Sequence, residues 1–228
     1  MKPFNSGSIL SGESGTGRPN SGVIVLLVLL GAGSFVSLSL DVPRALRGIK
    51  GDEATYVAMA LSLAHDADLV YERRDEERFF AIYPGGPEGI YLKDGVGSFI
   101  EPQESFPFIR RVTYPDGVED RFYFGKAFIS SVFAAPFVWA AGVNGLLWFN
   151  VVLLSLVWFC AYRFIAVSAS ATFALSYTLV FFGVSIVPLY LWWLSSDMFN
   201  LAGVFGAYFL WFYKDVAPSA TTRIGVWL

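Results

Sequence analysis

The stretch GVIVLLVLLGAGSFVSLSL, residues 22–40, decides the class of this protein. It carries no charge, and its 19 residues at about 1.5 Å rise make a helix of about 28 Å, close to the thickness of a bilayer's hydrocarbon core. It reads as a first transmembrane helix. Residues 1–21 before it are rich in Gly and Ser, with Lys2 and Arg18, a composition that buries too little apolar surface to fold. They are expected to form a flexible cytoplasmic tail. No clear small-x-small cleavage site precedes Asp41, which favours an uncleaved anchor over a removed signal peptide.

The rest of the composition agrees. Of 228 residues, 55% are hydrophobic and only 15% charged, against about 25% charged in soluble domains. Between Ala127 and Tyr213 the only charged residues are Arg163 and Asp197, whereas the segment 41–126 holds 16 Asp and Glu and 11 Lys and Arg. The chain is therefore one polar loop joined to a long apolar block. The net charge of −3 argues against a nucleic-acid partner, which calls for a basic face. Cys160 is the single cysteine, so no disulfide forms within the chain.

Within the apolar block, residues 145–162, 169–193 and 198–213 are long enough to read as three further spans. Residues 127–143 are apolar but contain Pro136 and are short for a crossing. Charge decides their reading. If they form an interfacial helix and the N-terminus is cytoplasmic, Arg163, Lys214 and Arg223 all fall inside, as the positive-inside tendency requires. Asp197 then lies on the outer side, next to the aromatic residues Tyr190, Trp192 and Trp193, with Trp211, Phe212 and Tyr213 at the inner interface. The expected fold is mainly α: a polytopic membrane protein of about four transmembrane helices and one interfacial helix. Residues 214–228 form the cytoplasmic end.

The loop 41–126 is expected to be a mixed α/β extracytoplasmic segment. Ala54, Val57, Ala58 and Leu61 recur at i, i+3, i+4 and i+7, predicting a helix of about three turns that lies against the membrane or under other chain. Short strands are expected around 69–72, 79–83 and 90–93, separated by Pro84-Gly85-Gly86-Pro87 and Asp94-Gly95 turns, with another turn at Pro115-Asp116-Gly117. The mixed charges of 72–78 read as a solvated hairpin edge. His65 is either a ligand or base or, more simply, a solvated helix end.

Asp52 and Glu53 open the predicted helix. Carboxylates at the ends of apolar helices are functional candidates, because charge near hydrocarbon is costly unless solvated or paired. The plainer reading makes Asp52 an N-cap, worth about 1 kcal/mol, and leaves Glu53 favoured by the helix dipole. The two readings are compatible.

The run Gly51-Asp52-Glu53-Ala54-Thr55-Tyr56, with Ala60-Leu61-Ser62-Leu63-Ala64 and Asp66-Ala67-Asp68-Leu69 after it, resembles the first outer loop of the C-type glycosyltransferase superfamily (GT-C). That superfamily includes protein mannosyltransferases and aminoarabinose transferases. Tyr123-Phe124-Gly125-Lys126 and Ala134-Ala135-Pro136-Phe137 are similar to the segment where these proteins lay an interfacial helix, and Asp197 matches a second acidic position. The resemblance implies transfer of a sugar from a polyprenyl-phosphate donor to an acceptor hydroxyl on the outer membrane face. Asp52 would be the general base, and Glu53 and Asp197 would orient the acceptor or raise the affinity of Asp52 for its proton. Lys126, Arg110 and Arg111 would neutralise the lipid phosphate, although the arginine pair is equally well read as a solvated loop. No cofactor is required, and a divalent metal held by Asp52 and Asp197 is an open alternative. Members of the superfamily usually carry more spans, so the chain is expected to be an N-terminal portion or to work with an additional membrane subunit. The competing reading is a non-catalytic membrane scaffold. A transporter is disfavoured, because no acid lies in mid-span and only Pro188 hints at a broken helix.

Overall fold

A computed structural model describes residues 21–45, 48–94, 98–102, 109–113 and 121–217. The tail 1–20, the turn at Pro115-Asp116-Gly117 and Arg223 lie outside the described residues. The chain is mainly helical with a small sheet. Among the described residues two helices, α1 (Ser21–Ser39) and α6 (Asn144–Ile165), are long and apolar enough to cross a membrane.

Helix α6 is the centre of the bundle. It packs on α1, on α5 (Ile129–Ala141), on α7 (Ala171–Val184) and on α9 (Asp197–Val216). Close approach to α1 depends on Gly33, where a Cβ would stand 2.6 Å from a methyl of Val151. Polar side chains fix the ends of the bundle. The last carbonyls of any helix lack intrahelical donors, and here the Asn144 amide donates to the carbonyl oxygens of Ser37, Leu38 and Leu40 at 3.0, 3.3 and 2.9 Å. At the other end Arg163 donates to the Tyr213 hydroxyl at 3.3 Å. The start of α6 thus meets the end of α1, and the end of α6 meets the end of α9.

The segment 169–193 departs from the expected single span. Helix α7 stops at Val184, the backbone is extended at Ser185 (ψ 175°), and a separate four-residue turn, α8 (Val187–Tyr190), follows. The cause is Pro188, which cannot donate to the carbonyl four residues back and is tolerated only near a helix start. Ser185 Oγ accepts from Val187 N–H and closes the break. Residues 191–196 then form an irregular connector into α9.

The polar segment folds around α3 (Asp52–His65), a helix close to four turns long in which every residue from Ala54 to Ser62 is buried. It lies under other chain, packed chiefly on α5. Its entrance requires Gly51, whose φ of +59° and ψ of −123° suit only glycine. Strands β1 (Val70–Tyr71), β5 (Phe122–Phe124) and β2 (Leu92–Asp94) form an antiparallel sheet in the order β1-β5-β2. Thr55 Oγ1 accepts from Tyr91 N–H at 2.9 Å and ties α3 to the segment entering β2. A second sheet pairs β3 (Ser98–Pro102) with β4 (Ile109–Thr113).

Residues 72–83 correct the sequence reading. In place of a hairpin edge and a strand they form helix α4 (Arg73–Ile82). Glu72 N–H donates to Asp75 Oδ2 at 2.9 Å, half of a capping box, and Asp75 and Phe79, four residues apart, form the buried face. Glu76 and Glu77 between them are exposed, so the spacing is that of a helix.

Candidate functional site

The first turn of α3 and the start of α9 meet at one place. Glu53 Oε1 accepts from the backbone N–H of Leu194 at 3.2 Å. One turn on, the Tyr56 hydroxyl accepts from Ser196 Oγ at 3.0 Å. Residues 140 and 141 positions apart are thereby joined side by side. Asp197 is the first residue of α9, and its carboxylate accepts from Ser195 Oγ in the same connector.

Asp52 does not cap its own helix. Gly51 is the N-cap residue and no side chain caps α3. The Asp52 carboxylate turns instead to Lys126, just beyond β5, with Oδ1 2.8 Å from Nζ. The Lys126 ammonium also stands 4.5 Å from the centroid of the Tyr91 ring, within cation–π range. Its hydrogen bond to Asp52, and then their opposite charges, outweigh desolvation and raise its pKa. Lys126 is a fixed cation beside the acidic pair, and more than half of the Asp52 side chain faces solvent.

Glu53 is in a different state. Burial raises its pKa, and the Leu194 N–H only partly opposes the effect. Leu194 itself is fully buried. The Glu53 side chain is therefore a half-buried acid held by one backbone bond, whereas Asp52 is an exposed acid held by a cation.

Beneath them a narrow cavity is lined by Tyr56, Ser130, Ser131, Asn150, Ser195 and Phe199, among others. Ser130 Oγ is buried and, among the described residues, has no hydrogen-bond partner. Asn150, on α6, is also buried and donates to the carbonyl oxygens of Tyr190, Leu191 and Trp193 at 3.4, 3.3 and 3.0 Å.

The structure thus brings together Asp52, Glu53 and Lys126, and places Asp197 one residue from Ser196, which bonds to Tyr56. Arg110 and Arg111 stand on β4, opposite Glu101 and Ile100, and their side chains lie outside the described part. His65 is exposed at the far end of α3, about 20 Å from Asp52 along the helix. Among the described residues no group of three His, Cys, Asp or Glu side chains is placed to hold a metal ion. Tyr56, Tyr91, Asn150, Ser195 and Ser196 were not singled out from sequence. Tyr56 carried a signal, because it lies one turn from Asp52 and Glu53. The others are apparent only once the chain is folded.

No family model, no curated protein and no solved structure matches the chain.

Proposed function

We propose that the chain is a polytopic membrane protein of GT-C type that moves a sugar from a polyprenyl-phosphate donor to an acceptor hydroxyl at the outer membrane surface. The observation that carries this reading is the meeting of the first turn of α3 with the connector into α9. It gathers two carboxylates, a third acid and an ammonium at one end of the apolar helices. The large exposed apolar side chains on α1, α7 and α9, among them Leu27, Val180 and Trp211, suit a lipid surround. In this reading the N-terminus is cytoplasmic, α1, α6 and α9 cross the bilayer, and α7 with α8 forms a broken crossing. α5 is interfacial and α3 with its sheet is extracytoplasmic.

The contacts support the following roles. The exposed Asp52 carboxylate takes the proton of the acceptor hydroxyl, the acceptor oxygen forms a bond to the anomeric carbon, and the bond from that carbon to the phosphate oxygen breaks. The polyprenyl phosphate leaves as an anion. Lys126 transfers its ammonium from Asp52 to that phosphate, which frees the base as the donor arrives and stabilises the departing charge. Glu53 holds the connector, and Asp197 faces the acceptor from it.

The test is transfer of radiolabelled sugar from polyprenyl phosphate in membranes containing the chain. D52N should reduce transfer by at least a hundredfold at unchanged expression. Equal transfer by the mutant removes Asp52 from the chemistry.

A second reading, a non-catalytic subunit, draws on one observation. An aromatic cleft of about 260 Å³ between α7 and α9, lined by Tyr177, Phe181, Phe205, Tyr208 and Phe212, offers an apolar surface for another membrane component. In that case D52N leaves glycosylation intact while deletion of the chain disrupts a complex.

A further inference from the structure

The connector 191–196 carries the residues that reach Glu53 and Tyr56, yet it has no regular structure of its own. Backbone of this kind needs donors for its carbonyl oxygens, because buried unpaired groups are costly. Asn150 supplies them. Its side-chain amide donates to three carbonyls, that of Tyr190 at the end of α8 and those of Leu191 and Trp193 in the connector; the Tyr190 oxygen also accepts from Trp193 N–H at 3.4 Å. It stands in the interior of α6, where an apolar residue would fit a packed helix better on burial alone.

We infer that Asn150 is a positioning residue for the candidate site: by clamping the carbonyls of Tyr190, Leu191 and Trp193 it sets Leu194, Ser196 and Asp197 against the first turn of α3. The order of contacts supports this. The three clamped carbonyls end at Trp193, and the next residue, Leu194, makes the bond to Glu53. The path from α6 to Glu53 is therefore one side-chain amide, a few residues of connector and one backbone N–H. Asn144, six residues earlier on the same helix, clamps the end of α1 in the same manner but touches no site residue in these bonds. It is the internal control.

The geometry makes a specific chemical demand. Three acceptors converge on two amide hydrogens, so the group at position 150 must donate. Asn150→Asp keeps the shape and replaces the donors with a carboxylate aimed at three carbonyl oxygens. Asn150→His offers a ring N–H the same number of bonds from Cβ as the asparagine nitrogen.

The test is hydrogen–deuterium exchange of the full chain in lipid nanodiscs. N150D should speed exchange of the amides of 191–196 at least tenfold, leave the end of α1 protected, and be reversed by N150H. N144D should do the opposite, loosening the end of α1 and sparing the connector. Unchanged exchange at 191–196 in N150D, or an equal rise throughout α6, overturns the assignment. If N150D does not fold, N150L, which removes the donors without adding charge, carries the same comparison. Failure of both variants to fold makes Asn150 a determinant of the fold and sinks the proposal.

As a role in transfer, the inference rests on the proposed function, and a second measurement separates the two. In the transfer assay N150D should raise KM for the acceptor and shift the pH profile, with both restored by N150H. If the unmutated chain shows no transfer but the exchange results hold, the transferase reading falls and the clamp stands.

Discussion

The two ends of α3 hold their charges by opposite means. At the C-terminal end Asp66, almost fully buried, pairs with Arg78 and Arg74 from α4, and Arg74 also reaches Asp68 and Glu72. Ser62 Oγ bonds to Asp68, and Asp75 is buried against Arg78. Every acid in that group has a partner within a dozen positions. At the N-terminal end Asp52 reaches Lys126, and Glu53 and Tyr56 reach across 140 positions. The first end is a structural knot. The second leaves an exposed acid beside one cation and a half-buried acid with one bond.

That contrast is open to direct attack. The largest effect on folding should come from R78M, which removes the cation beside buried Asp75 and leaves Asp66 with Arg74 alone. Breaking a buried pair costs about 3–5 kcal/mol, so the unfolding midpoint in denaturant should fall sharply. A small change would show that the knot is not structural. At the other end E53A removes the acceptor for the buried Leu194 N–H and should cost about 1–3 kcal/mol, read in the same titration. E53Q keeps an acceptor without the charge and should fall short of that loss.

Asp66 at one end and Glu53 at the other should answer pH with opposite signs. Hydrogen bonding to Arg78, ahead of an opposing burial effect, lowers the pKa of Asp66. Its stabilisation is present above the ordinary carboxylate value and is lost as pH falls through its lowered folded value. Burial raises Glu53, so its contribution is largest below the ordinary glutamate value and declines as pH rises towards its folded value. Asp75 is raised by burial as well, so it acts in the sense of Glu53. Mild acidification should therefore slow exchange at 191–196, and E53Q should flatten that response.

K126M should shift the unfolding midpoint little, because the Asp52 it leaves unpaired is more than half exposed, while lowering sugar transfer at least tenfold. A loss of stability without a loss of transfer would reverse the contrast between the two ends. The smallest effect belongs to S130A. Removing a buried hydroxyl that has no partner among the described residues should be neutral or stabilising by up to about 1 kcal/mol.

Some of this was legible in the residues. The charge-free runs gave the apolar helices, and the spacing of Ala54, Val57, Ala58 and Leu61 gave α3. The run 72–83 was misread because its alternating charges masked a helical spacing of Asp75 and Phe79, and because Glu72 and Asp75 were not taken as a capping pair. The break at Ser185 was hinted at by Pro188 but overridden by hydropathy, which counts apolar residues and ignores the donor that Pro188 lacks. Asp52 and Glu53 stood out by type and position. Their actual partners did not: Lys126 stood out only as a cation for the donor phosphate, and nothing local to Leu194 marks it.

The sequence by itself determined which stretches leave water and, to within about a residue, where α3 begins, because hydrophobic periodicity acts over a few residues. Only the tertiary structure decided what the acids touch. A single buried amide at Asn150 and a backbone N–H at Leu194 bring distant segments together, and hydrogen bonds of that kind depend on where the backbone passes, which no local pattern encodes.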